Sequence, residues 1–335
     1  MQIESDTTRS SEASNSTNYA KERRQLSAPA IPFPSDGLPA IVMLLIFYTV
    51  GVSFAFILGF TIPLLVWLST LLTAIFVLGC ALAHRNGWNK IATWLGTNAI
   101  VYGQGLPSML ILISFATFPQ PWADDWLSRV DARMGFHAPD VIFALAPFRD
   151  LIWPAYLSFG LQPIFILPLL SIFDQKRCWV YVTSGVVAMS ITCLLFAFTP
   201  ALGTFRYFGI APTTLPPFTY ESAPYTFGHA LMLLRSGYRV VTPSILSGLV
   251  SFPSYHAVSA TLAVWSVLRF PLLLGPTLFL NAMLIAGCFF FGAHYLVDVI
   301  AGVLIAAISI FIADRITHFG PYLQRLPKHF QLGSR

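Results

Sequence analysis

Charged side chains are scarce in this chain, and the scarcity limits the kind of protein it can be. Only 10% of its 335 residues are charged, whereas 56% are hydrophobic. An ordinary soluble domain carries about 25% charged residues. So much apolar side chain cannot be buried in an ordinary soluble core. The composition therefore excludes a typical water-soluble domain and predicts a protein whose main solvent is the lipid bilayer.

Cysteine is also rare, and its spacing excludes two common uses. The four cysteines lie inside or at the edge of apolar runs, at Cys80, Cys178, Cys193 and Cys288. They lack the paired spacing of a disulfide framework or a zinc site. We therefore predict packing roles for them, and the sequence implies neither a metal nor another cofactor.

A strong excess of one charge sign is missing too. The net charge of +5 is explained by loops held at the anionic cytoplasmic leaflet, so no nucleic-acid partner is expected. Residues 1–37 are polar and end in a proline-bearing stretch, which predicts a disordered tail. Their basic cluster is followed by prolines and lacks the short apolar core of a secretory signal.

Apolar runs of about 20 residues, the length of a membrane-crossing helix, recur along the chain. They predict an all-α, polytopic transmembrane bundle of about eight spans. The predicted spans are 38–58, 62–83, 93–117, 150–173, 178–199, 256–273, 275–292 and 295–314. The expected organisation is a tail at 1–37, N-terminal spans at 38–118, an external interfacial segment at 119–149, a membrane core at 150–315 with an external loop at 200–255, and a second cytoplasmic tail at 316–335.

Positive charges predict the orientation, since short loops rich in lysine and arginine stay in the cytoplasm. With the N-terminus inside, every lysine and most arginines are cytoplasmic. The basic residues left outside are all arginines, whose planar fork suits phosphate. They are Arg129, Arg133, Arg149, Arg206, Arg235 and Arg239.

Two long external segments follow from this topology. The first has an apolar helical arc formed by Trp122, Trp126, Leu127, Val130 and Met134, with acids elsewhere around the helix at Asp124, Asp125 and Asp131. It predicts an interfacial helix. The alternative is a solvated connection, and a catalytic role for the acids is less favoured.

The second external segment, 200–255, is rich in proline and aromatic residues, which favour the lipid headgroup zone. These residues are Phe205, Tyr207, Phe208, Pro212, Pro216, Pro217, Phe218, Tyr220, Tyr225 and Phe227. The segment is either a route by which lipid reaches the protein or an aromatic anchor without substrate contact.

The stretch Ser-Phe-Pro-Ser-Tyr-His, ending at His256, leads directly into an apolar run. A Pro-Ser pair before a helix is a start signal, and Ser254 is suited to cap it. Free amides and the helix dipole attract anions, so a phosphate could bind to Ser254, the amides and His256. The alternative is that Ser254 only caps the helix and His256 only lies at the interface.

A second motif, Phe-Gly-Ala-His-Tyr-Leu-Val-Asp, opens the last span with His294 and Asp298. Four residues apart, the two share a helix face and can form a hydrogen bond. A carboxylate on one imidazole nitrogen fixes the tautomer and leaves the other nitrogen to attack. A purely structural pair is the alternative. In the predicted topology, both histidine motifs fall on the external face.

The order Pro-Ser-x-His and then His-Tyr-x-x-Asp, each at an external helix start, resembles the type 2 phosphatidic acid phosphatase (PAP2) superfamily. The motifs are most similar in form to the branch of inositol phosphorylceramide synthases, sphingomyelin synthases and their bacterial relatives. The resemblance covers residues 200–314. It implies that His294 attacks phosphorus to form a phosphohistidine, that His256 protonates the leaving alcohol, and that Asp298 orients the nucleophile.

The chain departs from the family pattern in its basic residues. The superfamily has a Lys-x6-Arg-Pro motif, and no external lysine is present to match it. Arg235 and Arg239 are therefore predicted, with Ser254, to bind phosphate, and Arg206 is a third candidate. Cys288 stands six residues before His294, where the family often has arginine.

The resemblance implies a phosphatase or phosphotransferase that acts on a lipid phosphate or a phospholipid headgroup, including transfer of inositol phosphate to a lipid alcohol. Hydrolysis and transfer stay open, because they differ only in whether water or an alcohol attacks the phosphohistidine. The expected partners are the bilayer, the lipid substrate and, for transfer, an alcohol acceptor. The expected location is a bacterial inner membrane, with the site on the periplasmic face.

Two other functions fit parts of the sequence. A non-catalytic lipid-binding relative would explain the missing basic residues of the family pattern. A transporter would explain the polar residues Asn98 and Gln104 in the third predicted span, although transporters concentrate polar groups near the bilayer midplane. The sequence does not indicate an oligomeric state.

Overall fold

The computed structural model describes residues 33–210, 228–242, 245 and 248–323, and within these ranges the chain is helical without a named strand. The helices, numbered in chain order, are α1 Leu38–Ile57, α2 Leu68–Arg85, α3 Asn89–Gly103, α4 Gly105–Ala116, α5 Asp124–Arg133, α6 Ala138–Leu145, α7 Arg149–Leu157, α8 Gln162–Phe173, α9 Gln175–Phe198, α10 Thr204–Tyr207, α11 His229–Arg235, α12 Tyr255–Val267, α13 Pro271–Phe290 and α14 Leu296–Leu323. The predicted all-α class is confirmed.

Six helical segments within the described ranges are long and apolar enough to cross a bilayer. They are Ser35–Ile57, Leu64–Arg85, Asn89–Ala116, Gln175–Phe198, Pro271–Phe290 and Leu296–Thr317. A bent pair, Ala138–Gly160 with Gln162–Phe173 at 49°, is a seventh candidate. The predicted span 256–273 corresponds mainly to α12, whose 13 residues extend about 20 Å, less than the roughly 30 Å of a bilayer core. The helical bundle is confirmed, and six or seven segments of the described chain are candidate spans.

Helix α9 lies at the centre of the bundle and contacts α14, α12, α3 and α4. Its side chains are buried along most of its length, among them Trp179, Val186 and Phe196. Helix α2, in contrast, exposes large apolar side chains such as Leu71 and Leu78. An exposed apolar surface of this kind is suited to lipid.

The two ends of the bundle differ in chemistry. At the start of α9, Arg177 donates a hydrogen bond from Nε to the Ser266 carbonyl (3.0 Å) and lies over the Trp265 ring, at the end of α12. Beside it, Arg269 pairs with Asp174 at 2.6 Å. The histidine motifs lie where α12 and α14 begin. Basic loop residues and histidines are therefore at opposite ends of α12.

Helix α5 lies in the segment for which the sequence predicts an interfacial helix, and it buries two of its acids. Trp126 and Met134 are exposed, whereas Asp124, Leu127 and Asp131 are buried. Spacings of three and four residues bring these three onto one face. Both acids point into the protein. Backbone amides there donate hydrogen bonds to their carboxylates, which makes burial possible.

The second external segment is described in part. Within it, Phe205 is buried and Tyr207 is exposed, while the residues from Pro212 to Phe227 lie outside the described ranges. Its later part is joined to the turn between α1 and α2. There the Thr61 amide donates to the Arg239 carbonyl (2.8 Å), and the Val241 amide donates to the Thr61 carbonyl (3.0 Å).

Candidate active site

His294 lies in the turn between α13 and α14, just before the last helix. The preceding residue, Ala293, has a φ of 51°, which non-glycine residues rarely adopt. A Cβ added at Gly292 would lie 2.5 Å from His294 Cδ2 and 2.7 Å from the Cys288 carbonyl oxygen. The His294 amide donates to that same carbonyl (3.1 Å). The turn therefore restricts where the imidazole can lie.

Asp298 lies in the first turn of α14 and is completely buried. Its Oδ2 is 3.3 Å from His294 Nδ1. The same oxygen accepts hydrogen bonds from Ser251 Oγ (2.8 Å) and from the Tyr295 amide (2.9 Å). Because Nδ1 faces the carboxylate, Nε2 is the imidazole nitrogen directed away from Asp298.

His256 is the second residue of α12, and Ser254 is the helix cap. Ser254 Oγ accepts a hydrogen bond from the Ala257 amide at 3.4 Å. The Ser254 amide donates to the Asp298 carbonyl (3.0 Å), which joins the starts of α12 and α14. The ring centres of His256 and His294 are 6.2 Å apart. The structure thus brings together His294, Asp298, His256 and Ser254.

Helix α7 and the turn after it form an aromatic wall around His256. The His256 ring stacks on Tyr156 with ring centres 4.5 Å apart and also contacts Phe159 at 4.5 Å. Trp153 and Tyr156 in turn contact Phe291, close to the His294 turn. Their sequence pattern indicates only a membrane span, so the contact with His256 is visible only in the folded protein.

A cavity of about 350 Å³ lies beside this wall, between α3, α4, α8, α9 and α12. Phe159 and Tyr255 line it, so the cavity adjoins the His256 surroundings. Tyr255 donates a hydrogen bond to the Gly185 carbonyl (3.1 Å). Gln104 Oε1 is buried there without a hydrogen-bond partner among the described residues. The volume falls within the range of small-molecule sites, roughly 300–1,000 Å³.

The two buried acids of α5 accept hydrogen bonds from residues that directly follow His294 in the chain. Asp131 accepts hydrogen bonds from the amides of Leu296 (2.8 Å) and Val297 (2.9 Å). Asp124 accepts one from the Tyr295 hydroxyl (3.0 Å). Burial raises the pKa of both carboxyl groups, and the donated hydrogen bonds oppose this effect.

The two arginines predicted to bind phosphate have other contacts. The Arg235 guanidinium lies 3.3 Å from the centre of the Trp122 ring. Its Nε and Nη2 are buried without hydrogen-bond partners among the described residues, and burial lowers its pKa. Arg239 donates from Nη1 to the carbonyls of Leu234 (2.7 Å) and Tyr238 (2.9 Å). Within the described contacts, neither arginine bonds to a histidine.

A different arginine lies on the helix that forms the aromatic wall. Arg149 precedes Trp153 and Tyr156 by four and seven residues, which brings all three onto one face of α7. That spacing was visible in the sequence. Arg206, the third candidate, is exposed in α10.

Among the described residues, no group of three or more His, Cys, Asp or Glu side chains could hold a metal ion.

Comparison with known families gives one match. A model described as PAP2 superfamily matches residues 125–312, more than half of the chain. The match begins well before residue 200, where the motif resemblance began, and it includes α6 to α9 and nearly all of α5. No curated protein and no solved structure matches significantly. Because both histidine motifs lie within so extensive a match, the chain belongs to the PAP2 superfamily, which generally comprises phosphatases and phosphotransferases.

Proposed function

We propose that this protein is a membrane lipid phosphatase or phosphotransferase that works through a phosphohistidine on His294. The observation that carries the proposal is the buried pair of His294 and Asp298, 3.3 Å apart, with the His256 ring 6.2 Å from the His294 ring. The pair supplies an oriented nucleophile, and the second imidazole supplies a proton donor.

The reaction has two displacement steps. In the first, the lone pair of His294 Nε2 forms a bond to phosphorus, the bond from phosphorus to the leaving oxygen breaks, and His256 donates a proton to that oxygen. In the second, the oxygen of water or an alcohol attacks phosphorus, the phosphorus–nitrogen bond breaks, and the attacking oxygen gives its proton to His256. Asp298 accepts a hydrogen bond from Nδ1–H throughout, stays ionised and stabilises the positive charge on the ring.

The start of α12 supports a phosphate site beside the histidines. Helix N-termini attract anions through free amides and the helix dipole. In α14 the amides of Leu296 and Val297 are occupied by Asp131. At α12, Ser254 binds the third amide of the helix. We therefore assign the phosphate to the first turn of α12, near Ser254 and His256.

Arginine provides the remaining positive charge in this proposal. Arg235 and Arg239 stay candidates, and the buried guanidinium nitrogens of Arg235 favour it over Arg239, whose Nη1 is bonded to backbone. Arg149 joins them because it shares a helix face with Tyr156, which stacks on His256. Guanidinium groups would balance charge on the equatorial phosphoryl oxygens.

The cavity beside His256 supports a lipid as the molecule that carries the phosphate. His256 is the proposed acid for the leaving alcohol, so that alcohol must lie near the Tyr156 and Phe159 wall. Phe159 also lines the cavity, whose lining is mainly apolar. The hydrocarbon part of a lipid alcohol can therefore extend into it while the phosphate stays at the helix starts.

The motif form favours transfer of a polar headgroup, such as inositol phosphate, to a lipid alcohol. Hydrolysis of a phosphatidate-like or isoprenyl phosphate is the second candidate reaction. Both use the same phosphohistidine, and only the attacking oxygen differs. We place the reaction at the external face of the membrane, proposed to be the periplasmic face of a bacterial inner membrane.

The test is product analysis by mass spectrometry with protein reconstituted in lipid nanodiscs. The donors are phosphatidate, an isoprenyl phosphate and phosphatidylinositol, each with and without diacylglycerol or ceramide as acceptor. We expect turnover of at least one donor, and His294→Ala to lower it by roughly three or more powers of ten. A product that requires an acceptor identifies a transferase.

His137→Ala is the matched control, because His137 is an external, exposed histidine paired with Asp140 at 3.1 Å. It is expected to keep wild-type turnover. Full activity in His294→Ala would exclude the mechanism. Binding of a donor without turnover across the panel would identify a non-catalytic lipid-binding protein instead.

A further inference from the structure

Helix α5 holds the candidate nucleophile from outside the bundle. Asp131 accepts hydrogen bonds from the amides of Leu296 (2.8 Å) and Val297 (2.9 Å), at the start of α14. We propose that Asp131, assisted by Asp124, is a positioning residue for the reaction, because it sets the turn that carries His294. This inference rests on the proposed function and adds to it two acids that act through the His294 and Asp298 pair.

The helix whose start Asp131 caps also carries Asp298. The last helix begins at Leu296, and its first turn contains Asp298, which binds His294 Nδ1. Helix starts are usually capped by a residue just before them in sequence. Here the cap comes from a side chain 165 residues away from Leu296. The position of the first turn therefore depends on where α5 lies.

Asp124 makes a second connection on the other side of the same turn. One of its oxygens accepts from the Leu202 amide (2.8 Å), and the other accepts from the Gly203 amide (2.9 Å) and the Tyr295 hydroxyl (3.0 Å). The next amide, of Thr204, donates to the Ala293 carbonyl (2.9 Å). Ala293, just before His294, is bonded to the 202–204 segment that Asp124 binds. The three residues after His294 are bonded to Asp124 or Asp131 directly.

The acids are costly to bury, which favours a specific role. Both are about 2% exposed, although α5 is not among the candidate spans and has other side chains in contact with water. Asp125, the neighbour of Asp124, is exposed and paired with Arg129 at 2.7 Å. Removing a carboxylate from water costs free energy that only good hydrogen bonds offset. Five donors meet the two carboxylates.

The chemical consequence is alignment of the attacking nitrogen. A displacement of about 1 Å in a reacting group can lower the rate by about 100-fold. Loss of the Asp131 cap would let the first turn of α14 shift, and Asp298 and His294 with it. Lipid binding in the cavity beside His256 would be little changed. We therefore expect an effect on kcat and little effect on KM.

The experiment compares Asp131→Asn with Asp125→Asn, two neutralising substitutions on one helix. Asparagine keeps the size of aspartate but can accept only one of the two amides, because its NH2 group would face the other. We expect Asp131→Asn to lower kcat by roughly 30-fold, with KM changed less than about twofold. Asp125→Asn should behave as wild type. Both readouts come from the donor that proves active in the product analysis.

A double-mutant cycle separates positioning from simple structural support. If Asp131 acts through Asp298, adding Asp131→Asn to Asp298→Asn lowers kcat by less than about threefold further. Independent effects would instead multiply, and that result would overturn the inference. So would an unchanged kcat in Asp131→Asn. Activity that survives His294→Ala overturns the proposed function first, and the inference with it.

Tyr295→Phe keeps the inference testable should Asp131→Asn fail to fold, as judged by thermal unfolding. It removes one hydrogen bond to Asp124 and leaves the cap of α14 intact. We expect a fall in kcat of about fivefold at unchanged melting temperature. Wild-type kcat in a folded Tyr295→Phe protein, together with failure of Asp131→Asn to fold, would assign the acids to stability alone.

Discussion

Single residues around Asp298 show how the candidate site holds a buried carboxylate. One oxygen of this side chain meets His294 Nδ1, the Tyr295 amide and the Ser251 hydroxyl. The sequence pointed to His294 and Asp298 because of their spacing. It gave no role to Ser251, which lies 47 residues away in the chain from its partner. Only the folded contact reveals that this serine belongs to the site.

Ser251→Ala is the first prediction at this scale. Loss of a hydrogen bond to a charged group costs about 1.5–3 kcal/mol, so kcat should fall by roughly tenfold or more. Ser251→Thr, which keeps the hydroxyl, should retain more of the rate. The measurement is steady-state turnover of the active donor. Ser236→Ala serves as control, because Ser236 is an exposed serine in the same 200–255 segment. Equal rates for the two alanine variants would contradict the prediction.

Gly292→Ala is the second, because there is no room for a side chain in the His294 turn. The added Cβ would meet His294 Cδ2 at 2.5 Å and the Cys288 carbonyl at 2.7 Å. Such overpacking costs about 1–3 kcal/mol and should displace the imidazole. We expect turnover to fall more than melting temperature does. Gly275→Ala is the control, because a Cβ there meets nothing within 4 Å, and it should leave turnover unchanged. Unchanged turnover in Gly292→Ala as well would contradict the prediction.

At the scale of elements, the arrangement of α3, α4, α8, α9 and α12 decides what can lie beside His256. The cavity among them is lined by residues from four segments that are distant in sequence. Gly185 lies on the α9 side, and a Cβ there would approach Tyr255 and Gln104 no closer than 3.7 Å. A larger side chain at this position would therefore enter the cavity.

Gly185→Leu tests whether the cavity holds hydrocarbon. We expect about a tenfold loss of kcat/KM for a long-chain donor and little loss for a short-chain one, because only the longer chain needs the filled space. The measurement is a series of donors that differ in chain length. Gly275→Leu is the control, since Gly275 lies outside the cavity lining. Equal losses at all chain lengths would argue against a hydrocarbon site.

For the whole molecule, the contrast between the two ends of the bundle bears on orientation. Lys90 lies in the first turn of α3, and the next turn of α3 is bonded to the start of α9 through Thr93 and Gln175. Helix α5 and the histidine turn lie at the other end of α9. The asymmetry of lysine and arginine predicts that the first end faces the cytoplasm.

Labelling with a membrane-impermeant maleimide tests this orientation. The native cysteines are all buried in the structure, so a cysteine introduced at an exposed position should dominate the reaction. We expect His137→Cys to react from outside in intact cells and Lys90→Cys to react only after the membrane is opened. The reverse pattern would invert the topology and place the candidate site in the cytoplasm.

Much of the fold could be predicted from local patterns. Apolar runs predicted the bundle because a bilayer imposes length and apolarity on each span. Apolarity alone did not give the number of spans, because α12 is apolar but shorter than a bilayer core is thick. The inward direction of the two α5 acids could not be predicted, because the partners of their carboxylates are distant in sequence. Asp124 and Asp131 meet backbone amides contributed by distant segments.

Composition and short spacings are local properties, so the chain alone was enough to predict a bilayer as its solvent, a helical class and two histidine motifs with chemical potential. The tertiary structure decided which groups surround those histidines. Ser251, Tyr156 and Asp131 reach the site across long stretches of chain, and their direction depends on how helices pack. No spacing rule encodes such contacts, since they form only when the helix starts of α12 and α14 meet beneath α5.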